Sequence, residues 1–291
     1  MEHDFHRLIE SLMKRTELSQ DILQKYDNYK KGKEGEEKFL KVLQSIKGLN
    51  YIYNLQMKNS YQFDFIVVTD QCIYQFEIKN YSGNYEYRNG NLITQNDLVI
   101  KYPFAQLDRN EHFLRQVLKS LNIHHKVKSY VVFTNDYFRM TGDTDTSFMI
   151  FPTQLNYLKQ LLLNSTYEQT HSLTTSLKNL NQPFNHDYYI RPNYQFENVK
   201  PGIRCTHCLN IIEYELEYKK KEVTCHFCKE KSNRKALILN TLNELFLIKG
   251  EPFTMREARI WCNGIHRNSL AAIIKGNFKA KRHNKTIVYY K

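Results

Sequence analysis

The stretch YQFDFIVVTDQCIYQFEIKN, residues 61–80, decides the fold of the first half of the chain. Polar and apolar side chains alternate along residues 61–68 and again along residues 72–79, which predicts two β-strands. Only three residues separate the strands, so they are expected to pair as a hairpin. In that hairpin the side chains of Asp64 and Glu77 would lie close together.

Two adjacent carboxylates repel each other unless a cation lies between them. Their hard oxygen ligands select Mg²⁺ or Mn²⁺ rather than zinc. Lys79 shares a strand face with Glu77 and would hold an attacking water or a scissile phosphate, while a bound metal ion would lower the pKa of that water. The alternative is that Asp64, Glu77 and Lys79 are surface charges on a solvated sheet face.

A third acid precedes the hairpin. The apolar spacing predicts one helix over residues 3–28 and a second over residues 34–47, separated by a break at residues 30–32. Glu36 falls in the middle of the apolar stripe of the second helix, and an acid aimed at the core needs a partner or a function. Alternatively, Glu36 is a first-turn acid that the helix dipole stabilises.

The remaining elements of the first half complete a mixed pattern of helices and strands. Short aromatic and β-branched runs predict further strands after the hairpin, and proline marks the start of two helices. The predicted elements are strands over 84–88, 92–101, 130–133 and 148–151, and helices over 104–121 and after Pro152. This order indicates an α/β or α+β domain that ends near residue 165.

Four motifs follow one another in this half of the chain. They are Gly32-x-x-Gly35-Glu36, Asp64-x12-Glu77-x-Lys79, Asn80-Tyr81-x-Gly83 and Pro103-x-x-Gln106. Taken in this order, they resemble the nuclease-related domain (NERD) family of the PD-(D/E)XK nuclease superfamily, and the resemblance covers residues 29–165. One position departs from the family pattern, because Phe63 stands where the superfamily motif has the proline before the site aspartate.

The resemblance implies a restriction-endonuclease-like core, a mixed sheet flanked by helices, that hydrolyses phosphodiester bonds with a divalent metal. By match of the motifs, Asp64 and Glu77 would be metal ligands and Lys79 the catalytic lysine. Glu36 would complete the site, and Gln106 would position the substrate or serve a structural role. Members of this family often carry additional domains.

Two CxxC pairs lie in the second half of the chain, Cys205 with Cys208 and Cys225 with Cys228. Each pair offers two thiolates from a tight turn, and their spacing is typical of a tetrahedral Zn²⁺ site in a zinc ribbon, here over residues 201–233. Residues 211–218 and 221–224 would form the hairpin of that ribbon. With four sulfur ligands the zinc would be structural. The alternatives are two disulfides, which are rare in the cytoplasm, or four free cysteines.

Four other side chains bear on this prediction. His207 and His226 lie inside the two CxxC pairs, and one of them could replace a cysteine as ligand. Cys72, in a predicted strand, and Cys262, in a predicted helix, are interpreted as packing residues. The predicted zinc ligands are therefore the four paired cysteines.

The net charge of +12 is concentrated near the end of the sequence. Residues 1–165 have a balance of +2 and residues 166–233 a balance of +1, whereas residues 234–291 have a balance of +9 from 12 basic and 3 acidic residues. A dense local excess of positive charge is the electrostatic footprint of a nucleic-acid-binding domain.

The same basic segment predicts three helices followed by a hairpin that turns near His283 and Asn284. Thr254 and Glu257 fit a capping box at the start of the second helix, and a short turn separates the second helix from the third. This order resembles a winged helix-turn-helix, whose third helix and wing contact DNA. The polar face of the third helix and the lysines of the hairpin suit contact with bases and phosphates. The predicted DNA contacts are Arg267, Asn268, Lys275, Lys279, Lys281, Arg282 and Lys285. The alternative is a basic three-helix module that docks another protein.

The combined prediction is a DNA nuclease that uses Mg²⁺ or Mn²⁺, carries structural Zn²⁺ and binds double-stranded DNA through its ribbon and winged helix. A role in defence or repair fits this architecture, but no residue indicates it. Two other functions stay open: a DNA-binding regulatory protein whose nuclease-like domain is inert, and a protein-docking scaffold. Strand preference, cleavage polarity, protein partners and oligomeric state do not follow from the sequence.

The predicted organisation has five parts. No apolar run reaches the roughly 20 residues of a membrane span, and residues 1–30 lack a secretory signal, so a cytoplasmic protein is expected. The predicted parts are an N-terminal helix (1–28), a nuclease-like domain (29–165), a connector without a site (166–200), a zinc ribbon (201–233) and a winged helix (234–291).

Overall fold

The structure is a computed structural model that describes most of the chain. The described residues are 2–58, 61–101, 104–142, 144–168, 170–182, 192–212, 220–283 and 286–291. They form two compact units, which we call the central unit (Asn28–Phe184) and the terminal unit (Met1–Asp27 with Asn185–Lys291). The first 27 residues therefore group with the last third of the chain.

A five-stranded mixed sheet lies in the middle of the central unit, in the order β1-β2-β3-β7-β9, with strands numbered along the chain. The first three pair antiparallel, whereas β7 is parallel to β3, and β9 is parallel to β7. The strands are β1 (Asn50–Met57), β2 (Tyr61–Val68), β3 (Cys72–Lys79), β7 (Lys126–Phe133) and β9 (Met149–Ile150). The predicted hairpin of β2 and β3 is present, but β1 was not predicted.

Helices cover both faces of this sheet, because the side chains of β2 alternate between two apolar cores. Phe65 and Val67 belong to one core, and Ile66 and Val68 belong to the other. The first core receives side chains from α2 (Gln20–Gln44) and α4 (Leu155–Leu163). The second receives them from α3 (Ala105–Ser120) and α5 (Thr170–Asn179). The fold class, a mixed α/β structure with sheets flanked by helices, is confirmed.

A second sheet of the central unit has the order β6-β5-β4-β8. Its strands are β4 (Gly83–Arg88), β5 (Asn91–Thr94), β6 (Val99–Lys101) and β8 (Phe138–Thr141). The prediction of one strand over 92–101 is wrong, because a turn at Asp97, whose φ of 57° is left-handed, folds β6 back onto β5.

The first two helices also differ from the prediction. α1 (Glu2–Leu12) ends before Lys14, whose φ of 61° lies in the left-handed region. α2 then runs without interruption through Gly32. The predicted break at residues 30–32 is therefore wrong, since one glycine costs a helix only about 1 kcal/mol and tertiary packing readily offsets that cost.

Part of the predicted connector belongs to the central unit. Residues 170–179 form α5, and Leu177 of this helix is fully buried against the sheet. After the helix, the Gln182 N–H donates to the carbonyl of Gln56 at 2.7 Å, which covers one end of the edge strand β1. Residues 183–191 lie outside the described residues.

The last part of the terminal unit contains three helices and a small antiparallel sheet, in the predicted order. The helices are α6 (Arg234–Lys249), α7 (Met255–Trp261) and α8 (Arg267–Asn277). The sheet has the order β12-β14-β13, with β12 (Phe253–Thr254), β13 (Lys279–His283) and β14 (Thr286–Tyr290). The predicted turn near His283 and Asn284 includes residues outside the described ranges.

Capping residues delimit the helices of this part. The Glu257 N–H donates to the Thr254 hydroxyl at 3.2 Å, and the Thr254 N–H donates to the Glu257 carboxylate at 2.6 Å. This reciprocal pair is the predicted capping box of α7, which is confirmed. Gly250 ends α6 in the left-handed conformation, with a φ of 73°.

The N-terminal helix completes the apolar core of the terminal unit. Leu8 and Leu12 of α1 are buried in one cluster with Leu237 and Leu245 of α6. Just after α1, the buried Arg15 donates to the carboxylate of Glu244 at 2.8 Å. Arg204 donates to the same carboxylate at 2.5 Å. We call Arg15, Glu244 and Arg204 the buried ion triad.

Within the described parts of the chain, no helix combines the length and the apolar character that crossing a membrane requires.

Candidate active site and metal centre

The structure explains why the motif Gly32-x-x-Gly35-Glu36 has a glycine at position 35. A Cβ atom at Gly35 would lie 2.7 Å from Cβ of Asn80 and 2.8 Å from Oγ1 of Thr134, so no larger residue fits there. The Asn80 amide also donates to the carbonyl of Lys31 in α2 at 2.7 Å. Glycine therefore lets α2 approach the ends of β3 and β7, and this approach brings Glu36 to the sheet.

The two predicted metal ligands lie side by side at the end of the β2–β3 ladder. The ladder ends at the pair of Phe65 with Phe76, which makes Asp64 and Glu77 the next residues of their strands. Beyond this point the Asp64 carboxylate accepts the backbone N–H of Ile78 at 2.8 Å. A side chain thus takes over the hydrogen bond that a strand carbonyl would otherwise make, and it fixes the carboxylate beside Glu77.

Ionisation of the two carboxyl groups of this pair is unfavourable. Burial, followed by the nearby carboxylates of Glu77 and Glu36, raises the pKa of Asp64 well above its usual range. Burial also raises the pKa of Glu77, in spite of the opposing effect of Lys79. Both shifts mean that the two carboxyl groups resist ionising together unless further positive charge is supplied.

Lys79 supplies a positive charge next to Glu77. Its ammonium group donates to Glu77 Oε1 at 2.8 Å, and its side chain is largely buried. Burial by itself lowers the pKa of Lys79, but the Glu77 carboxylate, together with Tyr81 and Asp64, outweighs burial and raises that pKa. Lys79 therefore stays protonated, as the predicted role of this lysine requires.

Two residues that were not predicted hold Glu36. Lys33, one turn earlier on α2, donates to Glu36 Oε2 at 2.9 Å. The hydroxyl of Tyr53 on β1 donates to the same oxygen at 2.6 Å. Glu36 is close enough to Asp64 and Glu77 to raise the pKa of both carboxyls.

Gln106, the fifth predicted site residue, is the second residue of α3 and is partly buried. Among the described residues, no hydrogen bond joins it to Glu36, Asp64, Glu77 or Lys79. The structure thus brings four of the five predicted residues together. Pro103, which opens the motif that contains Gln106, lies outside the described residues.

The chemistry of the cluster fits a divalent cation. Oε2 of Glu77 is buried and has no hydrogen-bond partner among the described residues. An orphaned carboxylate oxygen is costly unless a ligand satisfies it. An ion between Asp64 and Glu77 would satisfy that oxygen and relieve the repulsion that raises the pKa of both groups.

Comparison with known families gives a match in the first half of the chain. The family described as nuclease-related domain matches residues 31–134. This segment of the chain is therefore similar to a nuclease-related domain. The match begins one residue before Gly32 and ends on Thr134, the residue that packs against Gly35. No curated protein and no solved structure matches the chain.

The nuclease-related domain suggests use of a divalent metal and binding of nucleic acid. All five predicted catalytic residues lie inside the matched segment, whereas the four paired cysteines and the basic segment lie beyond it. The second half of the chain therefore has to be interpreted from its own geometry.

The four paired cysteines form one cluster in the terminal unit, and all four sulfur atoms lie within 4.8 Å of one another. Sγ of Cys205 is 3.7 Å from Sγ of Cys228, and Sγ of Cys208 is 3.6 Å from Sγ of Cys225. A tetrahedral ion with bonds of about 2.3 Å to sulfur separates its ligands by about 3.8 Å. The cluster therefore fits a tetrahedral metal ion without His207 or His226.

The backbone repeats one turn at both CxxC pairs. The Leu209 N–H donates to the carbonyl of Cys205 at 3.1 Å, and the Lys229 N–H donates to the carbonyl of Cys225 at 2.9 Å. Leu209 and Lys229 both have a left-handed φ, of 61° and 65°. This repeated geometry turns two sulfurs of each pair towards one point, as a metal knuckle requires.

Hydrogen bonds favour the thiolate form at one ligand. Burial raises the pKa of the Cys208 thiol, but hydrogen bonds outweigh burial and lower that pKa to about 6. These bonds come from the backbone and side chain of Asn210 and from the thiols of Cys225 and Cys228. The second knuckle lies between β10 (Glu222–Thr224) and β11 (Lys231–Asn233). The predicted partner strand for β10, over residues 211–218, lies mostly outside the described residues.

The predicted DNA contacts lie on an exposed surface of the terminal unit. On α8, Leu270, Ile273 and Ile274 are buried in the core. The opposite face is exposed, and all five residues of β13 are exposed as well. The exposed predicted contacts are Arg267, Asn268, Lys275, Lys279, Lys281 and Arg282. Lys285 lies outside the described residues.

Sequence reasoning missed the residues that hold the site together. Tyr53 lies on β1, and the sequence YIYNLQM over 51–57 carries an aromatic and β-branched signal for that strand. Asn80 was named only as part of a motif, and Thr134 was not identified. Nothing local in the sequence indicates that Asn80 and Thr134 meet Gly35, because about 50 and 100 residues separate them.

Proposed function

We propose that the chain is a metal-dependent nuclease that hydrolyses phosphodiester bonds of DNA. The observation that carries this proposal is the cluster of Asp64, Glu77 and Lys79 beside Glu36, in a segment similar to a nuclease-related domain. One carboxylate oxygen of Glu77 has no partner among the described residues. Buried like charges with an unsatisfied ligand atom are the mark of a site that is completed by a cation.

Asp64 and Glu77 would hold Mg²⁺ or Mn²⁺, because both offer only hard oxygen ligands. When bound, such an ion lowers the pKa of a coordinated water and stabilises charge on the phosphate oxygens. Lys79 orients the attacking water through its ammonium protons and offsets the negative charge that grows on the phosphate. Asp64 keeps its orientation through the backbone N–H of Ile78.

The terminal unit would bind double-stranded DNA. Its three helices and the sheet β12-β14-β13 follow the order of a winged helix, with α8 as recognition helix and β13–β14 as wing. Exposed basic residues on both elements would contact phosphates. The cysteine cluster would hold Zn²⁺ in a structural role, since four sulfur ligands leave no open position for catalysis.

Incubation of supercoiled plasmid with the purified chain and Mn²⁺ tests this proposal. Cleavage is expected, and Asp64→Ala and Lys79→Ala should each abolish it. Glu34→Gln is a matched control, because Glu34 is an exposed acid of the same helix as Glu36. Cleavage that survives both site substitutions in pure protein would refute the site. Tight, salt-dependent DNA binding without cleavage would favour the inert regulatory protein instead.

A further inference from the structure

Tyr53 occupies a position in the candidate active site to which neither the motifs nor the family match assigns a role. Its hydroxyl donates to Glu36 Oε2 at 2.6 Å, and Lys33 donates to the same oxygen at 2.9 Å. The ammonium of Lys33 also lies 3.3 Å from the Tyr53 oxygen. Two donors therefore converge on one oxygen of Glu36.

The second oxygen of Glu36 differs from the first in the part of the chain that the structure describes. Among the described residues, no hydrogen bond reaches Oε1, while the carboxylate lies near enough to Asp64 and Glu77 to raise the pKa of both. A carboxylate fixed by one oxygen presents the other in a single direction. This is the arrangement by which residues behind a metal ligand orient it.

The ring of Tyr53 is itself held in place. It stacks on Phe65, its partner across the β1–β2 ladder, with ring centres 4.9 Å apart and planes inclined by 29°. The Lys33 ammonium lies 5.6 Å from the centre of the same ring. Phe65 is the neighbour of Asp64 on β2, so the position of the Tyr53 hydroxyl is tied to the strand that carries a proposed metal ligand.

We propose that Tyr53 is a positioning residue that orients Glu36 as the third carboxylate of the divalent-ion site. This inference rests on the proposed function, since it takes the Asp64–Glu77 pair as that site. Tyr53 acts through Glu36 and contacts neither the ion nor the DNA. Burial, followed by the bond to Glu36, raises the pKa of Tyr53 to about 12, so its hydroxyl remains a donor at neutral pH.

The first test measures Mn²⁺ binding directly, by the EPR signal of free Mn²⁺ during titration of the full chain. Tyr53→Phe keeps the stacked ring and removes only the hydroxyl, so the fold is expected to persist. Mn²⁺ affinity should fall on the order of tenfold, which is typical when a group behind a ligand is lost. Tyr51→Phe, on the same strand, is the matched control and should bind as the wild type. Unchanged affinity in Tyr53→Phe would overturn the proposal.

A double-mutant cycle separates positioning from a general structural effect. In a Glu36→Gln background, Tyr53→Phe should cause almost no further loss of Mn²⁺ affinity, because its route through Glu36 is already broken. Additive losses would show that Tyr53 acts by another route, and they would refute the inference.

Kinetics distinguish this inference from the proposed function. If the wild type cleaves DNA, Tyr53→Phe should lower kcat about tenfold and leave KM for DNA unchanged. If kcat is unchanged, the inference fails and the nuclease assignment stands. If the wild type cleaves no DNA but the Mn²⁺ cycle is non-additive, the nuclease assignment fails and the positioning role stands.

Discussion

Charged side chains are buried in both compact units, but the two units pair them differently. In the terminal unit, the carboxylate of Glu244 accepts bonds from Arg15 and Arg204, so the acid has two cations as partners. In the central unit, Glu36, Asp64 and Glu77 share two lysines, and one oxygen of Glu77 has no partner among the described residues. The buried ion triad has an excess of cations, whereas the candidate active site has an excess of acids.

The difference separates two uses of a buried charge. A buried acid that is fully bonded holds chain segments together, and removing it leaves its partners uncompensated. A buried acid that lacks a partner costs stability until a ligand supplies the missing charge. The triad therefore serves the fold, and the acid cluster is ready for a cation. Four experiments test these roles of the two units.

The largest effect is expected at the triad. Glu244→Ala leaves two buried guanidinium groups without a carboxylate and should lower the free energy of unfolding by about 3–5 kcal/mol. Glu251→Ala is the control, because that acid is exposed. Urea denaturation followed by circular dichroism measures both variants. A loss below about 1 kcal/mol for Glu244→Ala would show that the triad does not stabilise the terminal unit.

Two glycines of α2 provide a matched pair for the active site. Gly35→Ala forces α2 away from Asn80 and Thr134 and should lower cleavage roughly 100-fold, the effect of a displacement of about 1 Å. Gly32→Ala meets no atom within 4 Å and should leave cleavage unchanged while stabilising the helix by about 0.4–1 kcal/mol. Plasmid cleavage and thermal unfolding measure the pair. Equal activity of the two variants would contradict the close approach at Gly35.

A third experiment tests the exposed basic residues of β13. Replacing Lys279, Lys281 and Arg282 by glutamine should weaken DNA binding roughly tenfold and reduce the slope of log affinity against log salt by about 3. Fluorescence anisotropy with duplex DNA at several salt concentrations measures both quantities. The control replaces the exposed lysines Lys41, Lys47 and Lys119, which removes the same charge from the central unit. If the control variant binds DNA as weakly as the test variant, net charge alone determines the affinity for DNA.

The smallest effect is a gain in stability. In buffer without added divalent ions, and at a pH above the raised pKa of Asp64, Asp64→Asn should raise the free energy of unfolding by about 1 kcal/mol. The substitution removes a charge that burial disfavours and that Glu77 and Glu36 repel. Because folding raises the pKa of Asp64, wild-type stability should fall as the pH rises through that raised pKa, and the variant should lack this fall. Asp97→Asn, in an exposed turn, is the control. A destabilised Asp64→Asn protein would refute the excess of acids.

The parts of the site that the sequence predicts correctly are local. Asp64 and Glu77 belong to one hairpin with a short turn, so alternation and loop length suffice to bring them together. Glu36 was identified from its place in the apolar stripe of a helix, although its partner Tyr53 was not. The contact between Glu36 and Tyr53 depends on how α2 packs beside an edge strand, and no periodic pattern encodes that packing.

The errors of prediction have a common physical cause. Gly32 was taken as a helix break and Lys14 was not, yet α2 continues through the first and α1 ends before the second. Local propensity is a weak preference, and tertiary contacts override it. After α1, the chain bends so that Arg15 reaches Glu244, which is 229 residues away in sequence. A contact of that separation leaves no local signal.

The grouping of residues 1–27 with residues 185–291 has a consequence for synthesis. All residues of the nuclease-related domain leave the ribosome before Glu244 exists to bind Arg15. At roughly 5–20 residues per second, synthesis of the remaining residues takes on the order of 10 s after the central unit has been completed. An apolar face that includes Leu8 and Leu12 stays uncovered during that interval, which makes the start of the chain a natural substrate for chaperones.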